Sequence, residues 1–76
     1  MVLLFGPARD LVGASRTELD GSTVEAVVAA GAERFGAAFA DLCRRSQLWV
    51  NGEPAEPGHA VGPGDELAVL PPVSGG

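Results

Sequence analysis

The sequence predicts an α+β roll, a single sheet with a helix laid across one face. Three observations predict it. Short apolar runs stand at both ends of the chain, Val2-Leu3-Leu4-Phe5 and Leu67-Ala68-Val69-Leu70. Between them, a helix-start signal at Ser22 opens a long segment rich in alanine and valine. A third apolar run, Leu48-Trp49-Val50, leads into Asn51-Gly52, the strongest hairpin signal in the chain. The 76 residues fit one domain, above the size at which disulfides or metals become necessary. An apolar content of 46% and a mean hydropathy of +0.20 support a packed core.

In order, Val2 to Phe5 reads as a buried strand, ended by the turn signal Gly6-Pro7. Arg9 to Gly13 reads as a polar connection that turns at Gly13. Ser15 to Leu19 is expected to form a second strand pairing back on the first, closed by Asp20-Gly21. Ser22 and Glu25 have the spacing of a capping box, and Thr23 offers an alternative cap one residue on. Val24, Val27, Val28 and Phe35 fall on one helical face, with alanines filling the gaps. Gly31 interrupts this helix at about 1 kcal/mol relative to alanine, and only close packing on the sheet offers a reason for it.

A shorter helix is expected from Ala37 to Arg45, turning Phe39, Leu42 and Cys43 inward. Arg44 and Arg45 at its end favour the helix dipole. After Leu48-Trp49-Val50 and its turn, Glu53 to Pro63 holds three prolines and two glycines and reads as a loop. Gly64-Asp65 turns the chain into the last strand, Glu66 to Leu70, which stops at Pro71. The expected sheet is mixed, of four to five strands, with one main helix and a short second helix.

Charge excludes one function class. Ten acidic residues against five arginines give a net charge of −5, which opposes binding to a phosphate backbone. A partner with a basic surface suits such a chain, and no nucleic acid or membrane partner is expected. Lysine is absent from the sequence. No apolar run approaches a membrane span, and the start lacks the basic and long apolar regions of a signal peptide. One cysteine rules out an internal disulfide, which suits a reducing, cytoplasmic setting.

Two features carry the functional reading. The first is the failure of the end strands to alternate. If Val2, Leu4, Leu67 and Val69 face the helix, then Leu3, Phe5, Ala68 and Leu70 lie on the open face, as a partner-binding patch. The alternative is that both strands are central and partly covered by loops. The second feature is the ending Pro71-Pro72-Val73-Ser74-Gly75-Gly76. Prolines stop the ladder and stiffen the root, while Gly-Gly can carry a terminal carboxylate into a slot too narrow for side chains. Six extended residues reach at most about 20 Å.

That hexapeptide resembles the ending of the small subunits of molybdopterin synthase, the MoaD type within the MoaD/ThiS family of ubiquitin-like sulfur carriers. Further points of likeness are Arg9-Asp10 with Gly13, Thr23-Val24-Glu25, Val50-Asn51 and Gly64-Asp65-Glu66. The resemblance implies a β-grasp domain over residues 1–70 and an extended tail over residues 71–76. It implies that Gly76 is adenylated by a ubiquitin-activating-type enzyme using ATP and Mg²⁺, then converted to a thiocarboxylate with sulfur from a donor protein. The tail, from Pro71 through Pro72, Val73, Ser74 and Gly75 to Gly76, would enter the large synthase subunit and deliver sulfur to cyclic pyranopterin monophosphate; the alternative is a carrier of a sister pathway, thiamine or cysteine synthesis, or a ubiquitin-like protein modifier. The partner surface implied is the open sheet face, with Phe5 and Leu70 foremost. No catalytic residue, metal or bound cofactor of its own is implied.

Other residues attract attention without building a site. Cys43 shares a helical phase with Phe39 and Leu42 and reads as a small core residue. His59 stands alone in the Pro/Gly loop, with no second ligand or nucleophile near it in sequence. Trp49 reads as packing. Asp65 and Glu66 suit a turn better than acid-base work. Arg9 stays open between a neighbouring strand, the tail and a partner.

Overall fold

A computed structural model describes residues 1–72. In chain order the elements are β1 (Val2–Leu4), α1 (Pro7–Val12), β2 (Arg16–Thr17), α2 (Val24–Phe35), α3 (Ala37–Arg45), β3 (Gln47–Val50), β4 (Glu53–Pro54) and β5 (Leu67–Leu70). The strands form one mixed sheet ordered β2-β1-β5-β3-β4. Its central pair, β1 and β5, is parallel, in the register Val2↔Leu67, Leu3↔Ala68 and Leu4↔Val69. The other pairings are antiparallel. This is the expected α+β roll, with the first and last strands side by side at its centre.

Period-two alternation sets the two faces of the sheet. Val2, Leu4, Val50, Leu67 and Val69 are buried on the inner face. They pack with Val24 and Val27 of α2, Phe39, Leu42 and Cys43 of α3, and Ala8 of α1. Each large aliphatic side chain buried in this way contributes roughly 1.5–3 kcal/mol. Among the described residues no polar or charged residue is buried, so the core is purely apolar.

Helix α2 starts at Thr23, whose side-chain oxygen accepts from the Ala26 amide at 3.1 Å. The cap is therefore the alternative one, a residue after Ser22. Two further N-terminal amides find partners in the Pro-rich loop: Val24 N–H donates to His59 O at 3.0 Å, and Glu25 N–H to Pro57 O at 2.8 Å. A helix leaves its first four amides without internal partners, and here tertiary carbonyls replace a capping box. Loop 55–65 is thereby tied across the start of α2, reinforced by Val61 N–H to Ser22 O at 3.0 Å.

Four expectations are corrected. The turn signal Gly6-Pro7 and the connection expected over Arg9 to Gly13 instead hold a third helix, Pro7–Val12, with Pro in its first turn and Gly13 at φ 84° closing it. Such a Pro-start, Gly-stop frame is a helix signature even where six residues are too few for periodicity. The second strand shrinks to Arg16–Thr17. The loop after Gly52 begins with a short strand, β4, completing the hairpin that Asn51-Gly52 announces; Pro54 is tolerated there because β4 is a sheet edge. Gly31 packs against α3 and not the sheet: a Cβ at that position would overlap the Phe39 ring.

Candidate functional site

The outer face of the sheet is built by the residues the inner face leaves over. Register places Arg16, Leu3, Ala68, Trp49 and Pro54 in one row across all five strands. Leu3, Ala68 and Trp49 are each half-buried, although β5 is the central strand and β1 and β3 flank it. Leu70 lies opposite Gln47 in the next row towards the chain's end. Phe5, one residue past β1, is 46% exposed and is the most exposed large apolar side chain among the described residues. Register therefore sets Leu3, Ala68 and Leu70 on the outer face, part-exposed, with exposed Phe5 one residue beyond β1. Centrality of the strands, which the alternative reading required, holds as well; it does not bury the outer side chains.

Trp49, read from the sequence as packing, lies instead on this outer face. Its indole Nε1 donates to Gln47 Oε1 at 3.1 Å, so its polar edge is satisfied while its ring extends the apolar row towards β4. The deciding signal is the pairing of Trp49 with Ala68, a long-range register that no local pattern contains.

The tail roots on this face. Leu70 ends β5, Pro71 is half-buried and Pro72 exposed. The expected modification at Gly76 and tail positions 73–76 lie outside the described residues. At the other end of β5, Asn51, Asp65 and Glu66 form a clasp. Asn51 Nδ2 donates to Asp65 Oδ1 at 2.9 Å, and Glu66 N–H donates to Asn51 Oδ1 at 2.9 Å. Gly62 N–H donates to Asp65 Oδ2 at 2.8 Å. These bonds hold the Asp65 carboxyl below its ordinary range, the Asn51 amide contributing most and the Gly62 amide next. Turn chemistry accounts for the acid pair, as the spacing suggested.

Cys43 is 2% exposed, and burial pushes its thiol up to about 11, which makes it a core residue. The His59 backbone ties the loop to α2. Among the described residues, the side chain of Arg9 makes no hydrogen bond or ion pair and is exposed on α1. No group of three His, Cys, Asp or Glu residues is placed to hold a metal ion among them. Nor is any helix there long and apolar enough to cross a membrane.

The model of the ThiS family matches residues 2–76. The chain belongs to the ThiS family. Within reach of that assignment, it is 39% identical over 83 aligned positions to the molybdopterin synthase sulfur carrier subunit of Escherichia coli K12, covering 99% of this chain and 96% of that one. Among solved structures, small archaeal modifier protein 1 of Haloferax volcanii matches at 32% identity and a TM-score of 0.81, over 99% of this chain and 96% of the other. A chain from the BexX/CysO complex of Amycolatopsis orientalis matches at 27% identity and a TM-score of 0.79, with each chain fully covered. These ubiquitin-like neighbours confirm the β-grasp arrangement of this ThiS-family chain.

Proposed function

We propose that the chain is a sulfur carrier, the small subunit of a molybdopterin synthase, that donates sulfur from a thiocarboxylate on Gly76 to cyclic pyranopterin monophosphate. The observation that carries this reading is the 39% identity to the Escherichia coli sulfur carrier subunit, sustained along 99% of the chain. The sequence supports it with the terminal Gly75-Gly76.

The chemistry follows from what a carboxylate lacks. It is a poor acyl electrophile, so a ubiquitin-activating-type partner joins it to the AMP moiety of ATP, with Mg²⁺, and pyrophosphate leaves. Sulfide released by a donor then displaces AMP, forming the C–S bond as the acyl–phosphate bond breaks. The thiocarboxylate enters the large synthase subunit on residues 71–76, where glycines leave room for a close approach to the reacting atoms. In this reading the acid-base groups belong to the partners. The outer face, with Phe5 and Leu70 beside the tail root, is the docking surface in this reading. A cytoplasmic setting suits the chain's single, buried thiol.

A second reading is favoured by the Haloferax volcanii structure, whose protein is named a modifier. There Gly76 would form an amide with an amine of another protein. Intact mass measurement on protein purified from its native host separates the two. Sulfur in place of one terminal oxygen supports the carrier, and Gly76 joined to a lysine supports the modifier. A terminus left unmodified, even with the activating enzyme and ATP supplied, refutes both.

A further inference from the structure

Asn51 and Gly52 form a two-residue turn with both residues at positive φ, 49° and 84°, and both exposed. An asparagine followed by glycine is a chemically weak link, because the glycine amide meets no side chain of its own on approaching the asparagine carbonyl carbon. Asparagine is accordingly among the thermolabile residues. In this chain both ends of the Asn51 side-chain amide are engaged: Nδ2 donates to Asp65 Oδ1 and Oδ1 accepts from Glu66 N–H, each at 2.9 Å. The backbone N–H of Asn51 also donates to Glu66 O at 2.9 Å.

We propose that Asn51 is a deamidation site held in check by the Asp65–Glu66 clasp, so that the lifetime of the intact turn is set by how often the clasp opens. In the reaction the Gly52 nitrogen loses its proton and bonds to Asn51 Cγ. The Cγ–Nδ2 bond breaks and ammonia leaves, giving a cyclic imide. Water then opens the imide at either carbonyl, yielding aspartate or isoaspartate. While the clasp is closed, Cγ is tethered on both sides and cannot swing onto the Gly52 nitrogen. Once the reaction has occurred, reclosure is blocked. The product carboxylate has no N–H to donate to Asp65 and would stand at hydrogen-bond distance from a second anion. Asp65 is firmly ionised at neutral pH, since its own partners favour the charged form.

Damage here reaches the sheet centre. The carbonyl of Asp65 accepts from the Met1 amino group at 3.1 Å, and Leu67 N–H donates to Met1 O at 2.9 Å. The clasp thus anchors the start of β5 and of β1 together, so its loss loosens the parallel pair at the end away from the tail.

The test compares deamidation of Asn51 in folded wild-type protein and in the same protein held unfolded in urea, at one pH and temperature, by peptide mapping with mass detection of isoaspartate. Two side-chain bonds must break before reaction, each worth about a factor of five in an equilibrium, so the folded rate should be lower by roughly twenty-fold. Folded D65A, which removes one of the two bonds, should react about five-fold faster than folded wild type; where D65A does not fold, D65L is measured in its place, since an asparagine there would still offer an acceptor to Asn51 Nδ2. The N51D protein, which carries the product carboxylate, should melt below wild type. Equal folded and unfolded rates in wild type, or a folded Asp65 variant as slow as wild type, would overturn the proposal. Unchanged melting of N51D would overturn its irreversible part.

Discussion

The ring of Phe39 occupies the space into which a side chain at Gly31 would project. A Cβ built on Gly31 would fall 2.7 Å from Phe39 Cδ2 and nearer still to the next ring atom. Phe39 is 1% exposed and tilted against Phe35, with ring centroids 5.6 Å apart, so it has little room to retreat. The helical break read from the sequence is therefore a packing notch through which α3 closes on α2.

Gly31→Ala sets two effects against each other. Alanine improves helix propensity by about 1 kcal/mol. Forcing a methyl group into a filled core costs roughly 1–3 kcal/mol. The contact is against a buried ring, so overpacking wins, and a net loss of about 1 kcal/mol is expected in urea unfolding. Pairing the change with Phe39→Leu should give a loss smaller than the sum of the single changes. Strict additivity would show that the ring is not the obstacle.

Acid should weaken the fold partly through Asp65. Its carboxyl is held below the ordinary aspartate range by the Asn51 side chain and then the Gly62 amide. A depressed folded pKa gives stability that is fully present above the unfolded value and is lost as pH falls through the folded one. Urea midpoints of wild type should therefore drop more steeply below about pH 4 than those of Asp65→Asn, which has no proton to take up there. Parallel acid limbs would place the titrating group elsewhere.

Cys43 should be silent towards alkylating reagents in the folded protein. Burial raises its thiol from 9.0 to about 11, so almost no thiolate forms near neutrality. Iodoacetamide at pH 8 should label the urea-unfolded chain rapidly and the folded chain only through unfolding. The same shift predicts declining stability as pH rises from 9.0 towards about 11, where the unfolded chain ionises first. Rapid native labelling would mean that the helix pair opens locally.

The elements that were legible in the sequence are those whose signals are local and long enough. The β1 and β5 runs, the α2 face and the Asn51-Gly52 turn each carry their own pattern, and all are present. Helix α1 hides from a local reading because Arg9 and Asp10 make it look polar and only Pro7 and Gly13 frame it. The Thr23 cap prevailed over Ser22 because loop carbonyls at Pro57 and His59 settle where α2 begins. At the site, the patch around Phe5 was readable from strand parity. The addition of Trp49 and Arg16 was not, since both depend on which strands become neighbours.

Removing Gly76 should leave folding untouched and abolish carrier function. Among the described residues the core runs from Val2 to Val69, so the melting temperature of the shortened chain should match that of the full one. No terminal sulfur should be incorporated when the activating enzyme, ATP and a sulfur donor are supplied. If the shortened chain still supports molybdopterin formation, Gly76 is not the group that carries sulfur.

Leu4 and Phe5 are adjacent in sequence yet sit on opposite faces, which separates folding from docking. Leu4 is 1% exposed in the core, and Leu4→Ala should cost about 2–5 kcal/mol of stability. Phe5 is 46% exposed, so Phe5→Asp should change stability by no more than about 0.5 kcal/mol. Binding should reverse the order. An anion placed beside Leu70 at the tail root must be desolvated when a partner covers the apolar rows, and affinity for the synthase and activating partners should fall by about tenfold or more. Calorimetric titration checks this, with thermal melts run alongside to confirm an intact fold. Undiminished affinity of Phe5→Asp for both partners would move the docking surface off the outer face of the sheet. Weakened binding to one partner alone would show that the two enzymes approach the tail from different sides.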